Sequence, residues 1–158
     1  MPSMPSGAPQ LIMKSNELVF VLEVDDGWPP VATESLVCTP LSAGFKIEVP
    51  PFFIKNMSVG DVIQVDRNVK GEVVSWSHIV KSRRSTMWIM VTNHHKIEDS
   101  IECLKNLKCN VERFAEFNYF SIDIPENCAI ESLDECLDAL EEANVPVVFS
   151  SLRHIESS

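Results

Sequence analysis

The sequence predicts an α+β protein of two unlike halves. A small antiparallel β-barrel-like half spans residues 16–84 and a ferredoxin-like βαββαβ domain spans 85–158, behind a flexible tail at 1–15. Three observations carry that prediction. Short alternating apolar runs, separated by turn residues, fill the first half with no helical stripe among them. Amphipathic stripes of helical period come only later, interleaved with strands in the order strand, helix, strand, strand, helix, strand. Charge divides near the same line: residues 1–96 hold nine acids and nine Lys or Arg, and 97–158 hold fourteen acids and four. The second part therefore carries the whole net charge of −10.

Met1 to Ser15 is rich in Pro, Ser and Met and has no basic start, which reads as a tail rather than a signal peptide. Glu17 to Val24 alternates Leu18, Phe20, Leu22 and Val24 with Val19 and Val21, a strand apolar on both sides and so central in its sheet. Asp25-Asp26-Gly27-Trp28-Pro29-Pro30 is a turn signal, because Gly, Asp and Pro each favour turn geometry. Glu34 to Leu41 is a second strand. Phe45, Ile47 and Val49 alternate with Lys46 and Glu48 in a third, which Pro50-Pro51 stops, and Phe52, Phe53 and Ile54 follow as an apolar plug. Met57 to Asp61 turns the chain into Val62 to Val65, and Asn68 to Gly71 forms a hairpin into Glu72 to Val80.

Lys81-Ser82-Arg83-Arg84-Ser85 is a basic cluster at the seam of the halves. Its few charges fall short of a nucleic-acid-binding run, so it reads as a solvated linker. Beyond it, Met87, Ile89 and Val91 alternate with Trp88 and Met90 in a strand. Ile97, Ile101, Leu104 and Leu107 form a helical stripe while Glu98, Asp99 and Glu102 point away. Val111 to Phe117 reads as a strand, Asn118 as a turn, and Phe120, Ile122 and Ile124 alternate with Tyr119, Ser121 and Asp123.

The clearest element is residues 130–143. Ile130, Leu133, Cys136, Leu137, Leu140 and Ala143 fall on one arc of a helix, with Glu131, Asp134, Glu135, Asp138, Glu141 and Glu142 on the opposite arc. Ser132 and Glu135 fit a capping box, Asn144 ends the helix, and Val145 to Phe149 is the last strand. Both helices should cover one sheet face, which gives the domain a broad negative surface.

Chemistry-bearing motifs are absent from the pattern. The five cysteines form no Cys-x-x-Cys pair and read as reduced thiols of a cytoplasmic protein. His94-His95 has no further ligand at metal spacing and reads as the loop before the first helix. His78 lies mid-strand with no acid at a recognisable offset, and Arg153-His154 reads as a surface contact. The five glycines never cluster, so no phosphate loop is expected, and no nucleophile elbow occurs. Carboxylates on an open helix face are not desolvated enough to split their pKa values. The expectation is a non-enzyme with no cofactor and no metal. No run approaches the roughly 18 apolar residues of a membrane span. The negative field argues against nucleic acid and anionic membranes and favours a basic protein partner.

Glu48-Val49-Pro50-Pro51-Phe52-Phe53, then Val59-Gly60-Asp61-Val62, Ser85-Thr86 opening a strand, and Leu152-Arg153-His154 together resemble a bacterial family known as a domain of unknown function. The resemblance runs from about Glu17 to His154, with Arg83-Arg84 where the family pattern has Gly-His. It implies a small cytosolic protein and, for some members, a role as immunity proteins against polymorphic bacterial toxins. The expected function is thus neutralisation of a cationic toxin, such as a nuclease, by occlusion. Asp134, Glu135, Asp138, Glu141 and Glu142 would contact the partner, supported by Glu98 and Glu102. Two alternatives stand beside it. One is a ligand-sensing module with an effector around Trp28, Trp76 and Phe53; the other is a regulator of an RNA-processing enzyme through Arg83 and Arg84.

Overall fold

The computed structural model of the protein describes residues 16–91, 97–114, 116 and 118–154. The tail at 1–15, the His94-His95 pair and Phe117 lie outside these residues. Five strands build the first half: β1 (Glu17–Val21), β2 (Thr33–Pro40), β3 (Phe45–Ile47), β4 (Val62–Arg67) and β5 (Val73–Val80). They close into a barrel in chain order, each antiparallel to the next. The closing seam departs from the expected all-antiparallel barrel: β1 and β5 run parallel and meet at Phe20 opposite Val73. A meander of five strands brings its first and last strands round in the same direction, so an odd strand count forces one parallel pair.

Alternation selects what fills the barrel. Leu18 and Phe20 of β1, Leu36 and Cys38 of β2, then Ile47, Ile63 and Val73 are buried in one core. Glu34 shares the inward set of β2, where an acid is unexpected. The Asn68–Gly71 hairpin turn forms as read. Asn68 Oδ1 accepts the backbone N–H groups of Lys70 and Glu72, and Gly71 takes the positive φ of 84° that closes the turn.

The second half contains β6 (Ser85–Met90), α1 (Glu98–Asn106), β7 (Asn110–Phe114), β8 (Tyr119–Ile124), α2 (Ile130–Glu142) and β9 (Val147–Ser151). Its sheet has the order β7-β8-β6-β9 with every pairing antiparallel. Met87, Ile89, Ile122 and Ile124 face the helices and pack with Leu104, Leu133, Cys136 and Leu140 in a second core. None of the described helices is long and apolar enough to cross a membrane.

Helix ends differ from the expectation. No side chain caps α2, whose N-cap is Ala129, so Ser132 and Glu135 lie inside the helix rather than forming a capping box. Each helix stops at a residue in the left-handed region, Lys108 after α1 and Asn144 after α2. The N–H groups that follow return to helix carbonyls: Cys109 N to Leu104 O at 3.1 Å and Val145 N to Leu140 O at 3.0 Å. The cysteine expectation is also corrected. Cys103 of α1 and Cys136 of α2 form a disulfide, which ties the two helices together, while Cys38, Cys109 and Cys128 are free.

Candidate functional site

Two regions concentrate polar chemistry. The first is the outer face of the helix pair. Glu98, Asp99 and Glu102 of α1 and Glu131, Asp134, Glu135, Asp138, Glu141 and Glu142 of α2 are all exposed. The structure therefore brings every acid proposed as a contact onto the side of α1 and α2 that faces away from the shared core. The ion pairs among the described residues lie elsewhere. Asp138, Glu141 and Glu142 converge with Asn144 on an open depression of about 450 Å³ at the C-terminal end of α2. That end carries the negative pole of the helix dipole, and no basic residue occupies its last turn.

The second region is the junction where the barrel meets the sheet face away from the helices. The strand register places Thr86, Trp88, Ser121 and Asp123 on that face. The Pro50–Ile54 segment docks there. Trp88 Nε1 and the Ser121 hydroxyl both donate to Pro51 O, at 2.8 and 2.6 Å, and the Tyr119 hydroxyl donates to Phe52 O at 2.8 Å.

Asp61 anchors the polar part of this junction and is wholly buried. Its carboxylate accepts the backbone N–H groups of Ser58 at 2.9 Å and Ser82 at 2.8 Å. It also accepts Arg153 Nη1 at 2.9 Å and Nη2 at 3.0 Å, and meets His78 Nε2 at 2.8 Å. Burial pushes the carboxyl up, but these donors together outweigh it and Asp61 titrates below its ordinary value. The surface reading of Arg153 is corrected: its side chain is 4% exposed, and it also donates to Ser82 O and Asn56 O. His78 has an acid partner after all, seventeen residues away.

Arg153 N donates to Ser85 Oγ at 2.7 Å, and Ser85 Oγ lies 2.6 Å from His154 Nδ1. His154 Nε2 meets the Pro125 carbonyl at 2.8 Å. A carbonyl only accepts, so Nε2 carries a proton, and in the neutral ring Nδ1 accepts from the Ser85 hydroxyl. Ser85 is buried without exposure, which denies a substrate access to the Ser-His pair. Arg84 clamps Asp123 through Nε at 2.9 Å and Nη2 at 2.6 Å, a fork that occupies the guanidinium offered to RNA in one alternative. The chemistry of this network is that of a clamp.

Beside the clamp lies an acidic and aromatic cleft that sequence reasoning missed. Glu34 is 8% exposed, and its carboxylate takes the backbone N–H of Phe52 at 2.6 Å and of Phe53 at 3.0 Å. Burial dominates those two bonds and raises its pKa to about 7. Phe53 stacks on Tyr119 at 5.4 Å, and Phe114 meets Phe52 and Phe53 edge-on at 5.4 Å each. Burial, and then the charge of Glu34, raise the Tyr119 hydroxyl. Of the aromatic group expected around an effector, Trp28 meets Phe53 at 5.6 Å, whereas Trp76 packs on His78 at 5.0 Å. The signal for the cleft was the inward phase of Glu34 in β2, directly in line with Leu36 and Cys38.

Fold and site together define a mixed α+β protein, a closed five-stranded barrel joined to a helix-backed sheet. A family model matches residues 34–146, and the chain belongs to that family, described as a domain of unknown function (DUF4265). A crystal structure of a hypothetical protein from Neisseria gonorrhoeae is similar over 87% of this chain and 95% of that one, at 24% identity and a TM-score of 0.69. At that identity the likeness speaks for the fold alone. No curated protein matches the chain.

Proposed function

We propose that the protein is a binding protein whose acidic helix face docks a basic protein partner, in the manner of an immunity protein occluding a cationic toxin. One observation carries the reading: the acids are arranged against the helix that bears them. Asp134 and Asp138, then Asp138 and Glu142, are like-charge pairs four residues apart, each destabilising by about 0.2–0.5 kcal/mol. Glu141 and Glu142 sit at the negative end of the dipole, where cations are favoured. No ion pair among the described residues offsets these costs, whereas a basic surface would. A ferredoxin-like reading of the helix-backed sheet fits its strand order, in which the first and third strands are central, and it places both helices on one face for such a contact.

The test is co-expression with the product of the adjacent reading frame, followed by titration at rising salt. The Asp138→Lys/Glu141→Lys/Glu142→Lys variant should lose the complex with a melting temperature no lower than that of the parent chain. Undiminished binding by that variant would remove the helix face from the proposal. A cytoplasmic location belongs to the same reading, and the Cys103–Cys136 bond argues against it, because reducing compartments keep such pairs as thiols. Trapping thiols with an alkylating agent at the moment of lysis decides that point.

A further inference from the structure

We infer that the cleft between the barrel and the sheet edge is a binding site for an organic cation, an ammonium or guanidinium group. It is separate from the acidic helix face and does not depend on it. The cleft holds about 380 Å³ and lies between β2, the Pro50–Phe53 segment and β7, the edge strand of the sheet. A volume of that order suits the head of a small ligand or one long side chain.

Its lining selects for positive charge. Glu34, Glu112 and Glu116 contribute three carboxyl groups, Phe52, Phe53 and Phe114 contribute rings, and no Lys, Arg or His takes part. The strand register explains the missing base. Glu112 lies opposite Ser121 and Phe114 opposite Tyr119, on the barrel side of the sheet, whereas Arg113 alternates to the helix side and sits over the Phe120 ring at 6.0 Å. Aromatic faces carry negative quadrupole charge and attract cations, more strongly where water is excluded. The carboxylates disfavour an anion, and the rings favour a cation over a neutral group of the same shape.

Glu34 supplies the specific anchor. An ionised carboxylate offers about four lone-pair positions, and the Phe52 and Phe53 N–H groups take two. The remaining capacity belongs to a group that is nine-tenths buried and has no base in the cleft to compensate it. That absence is consistent with a carboxyl raised to about 7 by its burial. An ammonium or guanidinium donor would complete its hydrogen bonding and offset its desolvation at once.

The same chemistry could arrive as a free metabolite or as a side chain of another polypeptide, and the experiment separates them. Calorimetric titrations of the full chain, above the Glu34 titration, would use choline, agmatine, and capped peptides bearing one arginine or one trimethyllysine. The neutral carbon isostere of choline is the control. Cations should bind at least about ten-fold more tightly than that isostere, a difference of about 1.4 kcal/mol. Glu112→Gln, at a half-buried edge position, should weaken them several-fold with an unchanged melting temperature. Binding of choline or agmatine supports the site with a metabolite as its source; binding of the peptides alone supports it with a partner's side chain. Equal binding of the isostere, or no cation binding at all, overturns the inference without reference to any variant, and leaves the helix-face proposal untouched.

Discussion

The helix face and the junction hold the same functional groups and treat them in opposite ways. On α1 and α2 nine carboxylates stand in water outside the ion pairs formed among the described residues, whereas at the junction Asp61 and Asp123 are buried and each is forked by an arginine. Solvent carries the cost of charge in the first case, and directed donors carry it in the second. The difference teaches which charges the fold requires and which it merely tolerates. Removing a base at the junction strands a buried anion, while changing an acid on the helices alters only a solvated surface.

The largest expected effect follows from that asymmetry. Arg153→Met leaves Asp61 buried without its fork, and denaturant unfolding should show a loss of about 3–5 kcal/mol. A loss below about 1 kcal/mol would erase the distinction between the two regions. Reduction of the Cys103–Cys136 bond, which closes a loop between residues 33 apart, should cost about 4 kcal/mol. Thiol titration of the denatured chain should count three free thiols before reduction and five after.

Glu34 sits between the two regimes, buried like Asp61 yet without a base. Its pKa is raised, so the folded state holds the proton more tightly than the unfolded chain does. Its stabilising contribution is complete below the ordinary value of 4.5 and is lost as pH rises to about 7. The loss is up to about 3 kcal/mol over that window. Glu34→Gln should flatten this part of the pH profile, measured by unfolding midpoints. Asp61 has the opposite sign: its contribution is present above 3.8 and fades as acid reaches its lowered pKa, so the two are separable by pH. The smallest effect sharpens the other side of the comparison. Glu141→Lys/Glu142→Lys should raise stability by about 0.5–1 kcal/mol at low ionic strength, and salt should shrink the gain.

Local pattern made one region legible and hid the other. The acids of α2 repeat at helical period within fourteen residues, so their common face can be read directly. The barrel strands are likewise readable from alternation, though not the parallel seam, which depends on how many strands close the ring. Asp61 and Arg153 are 92 residues apart, and no periodicity links them. Arg153 followed a strand and so looked exposed; only docking of the barrel buries it. For the disulfide part of the clue was present, since Cys136 lay on a helix stripe expected to share a sheet face with the first helix, which carries Cys103. Spacing rules for cysteine pairs do not cover partners on separate helices. Glu34 was visible in phase but was read only as part of a strand.

The reach of the Asp61–Arg153 pair also sets an order of events during synthesis. A ribosome adding about 5–20 residues per second needs about 5–20 seconds to pass from Asp61 to Arg153. Through that interval the barrel strands have been made, but the carboxylate at their base lacks its counter-charge. Within the barrel half Asp61 already has the Ser58 and Ser82 N–H groups and His78 as partners, but its guanidinium fork comes only with a residue beyond β9. The first half of the chain is therefore completed by a residue of the second.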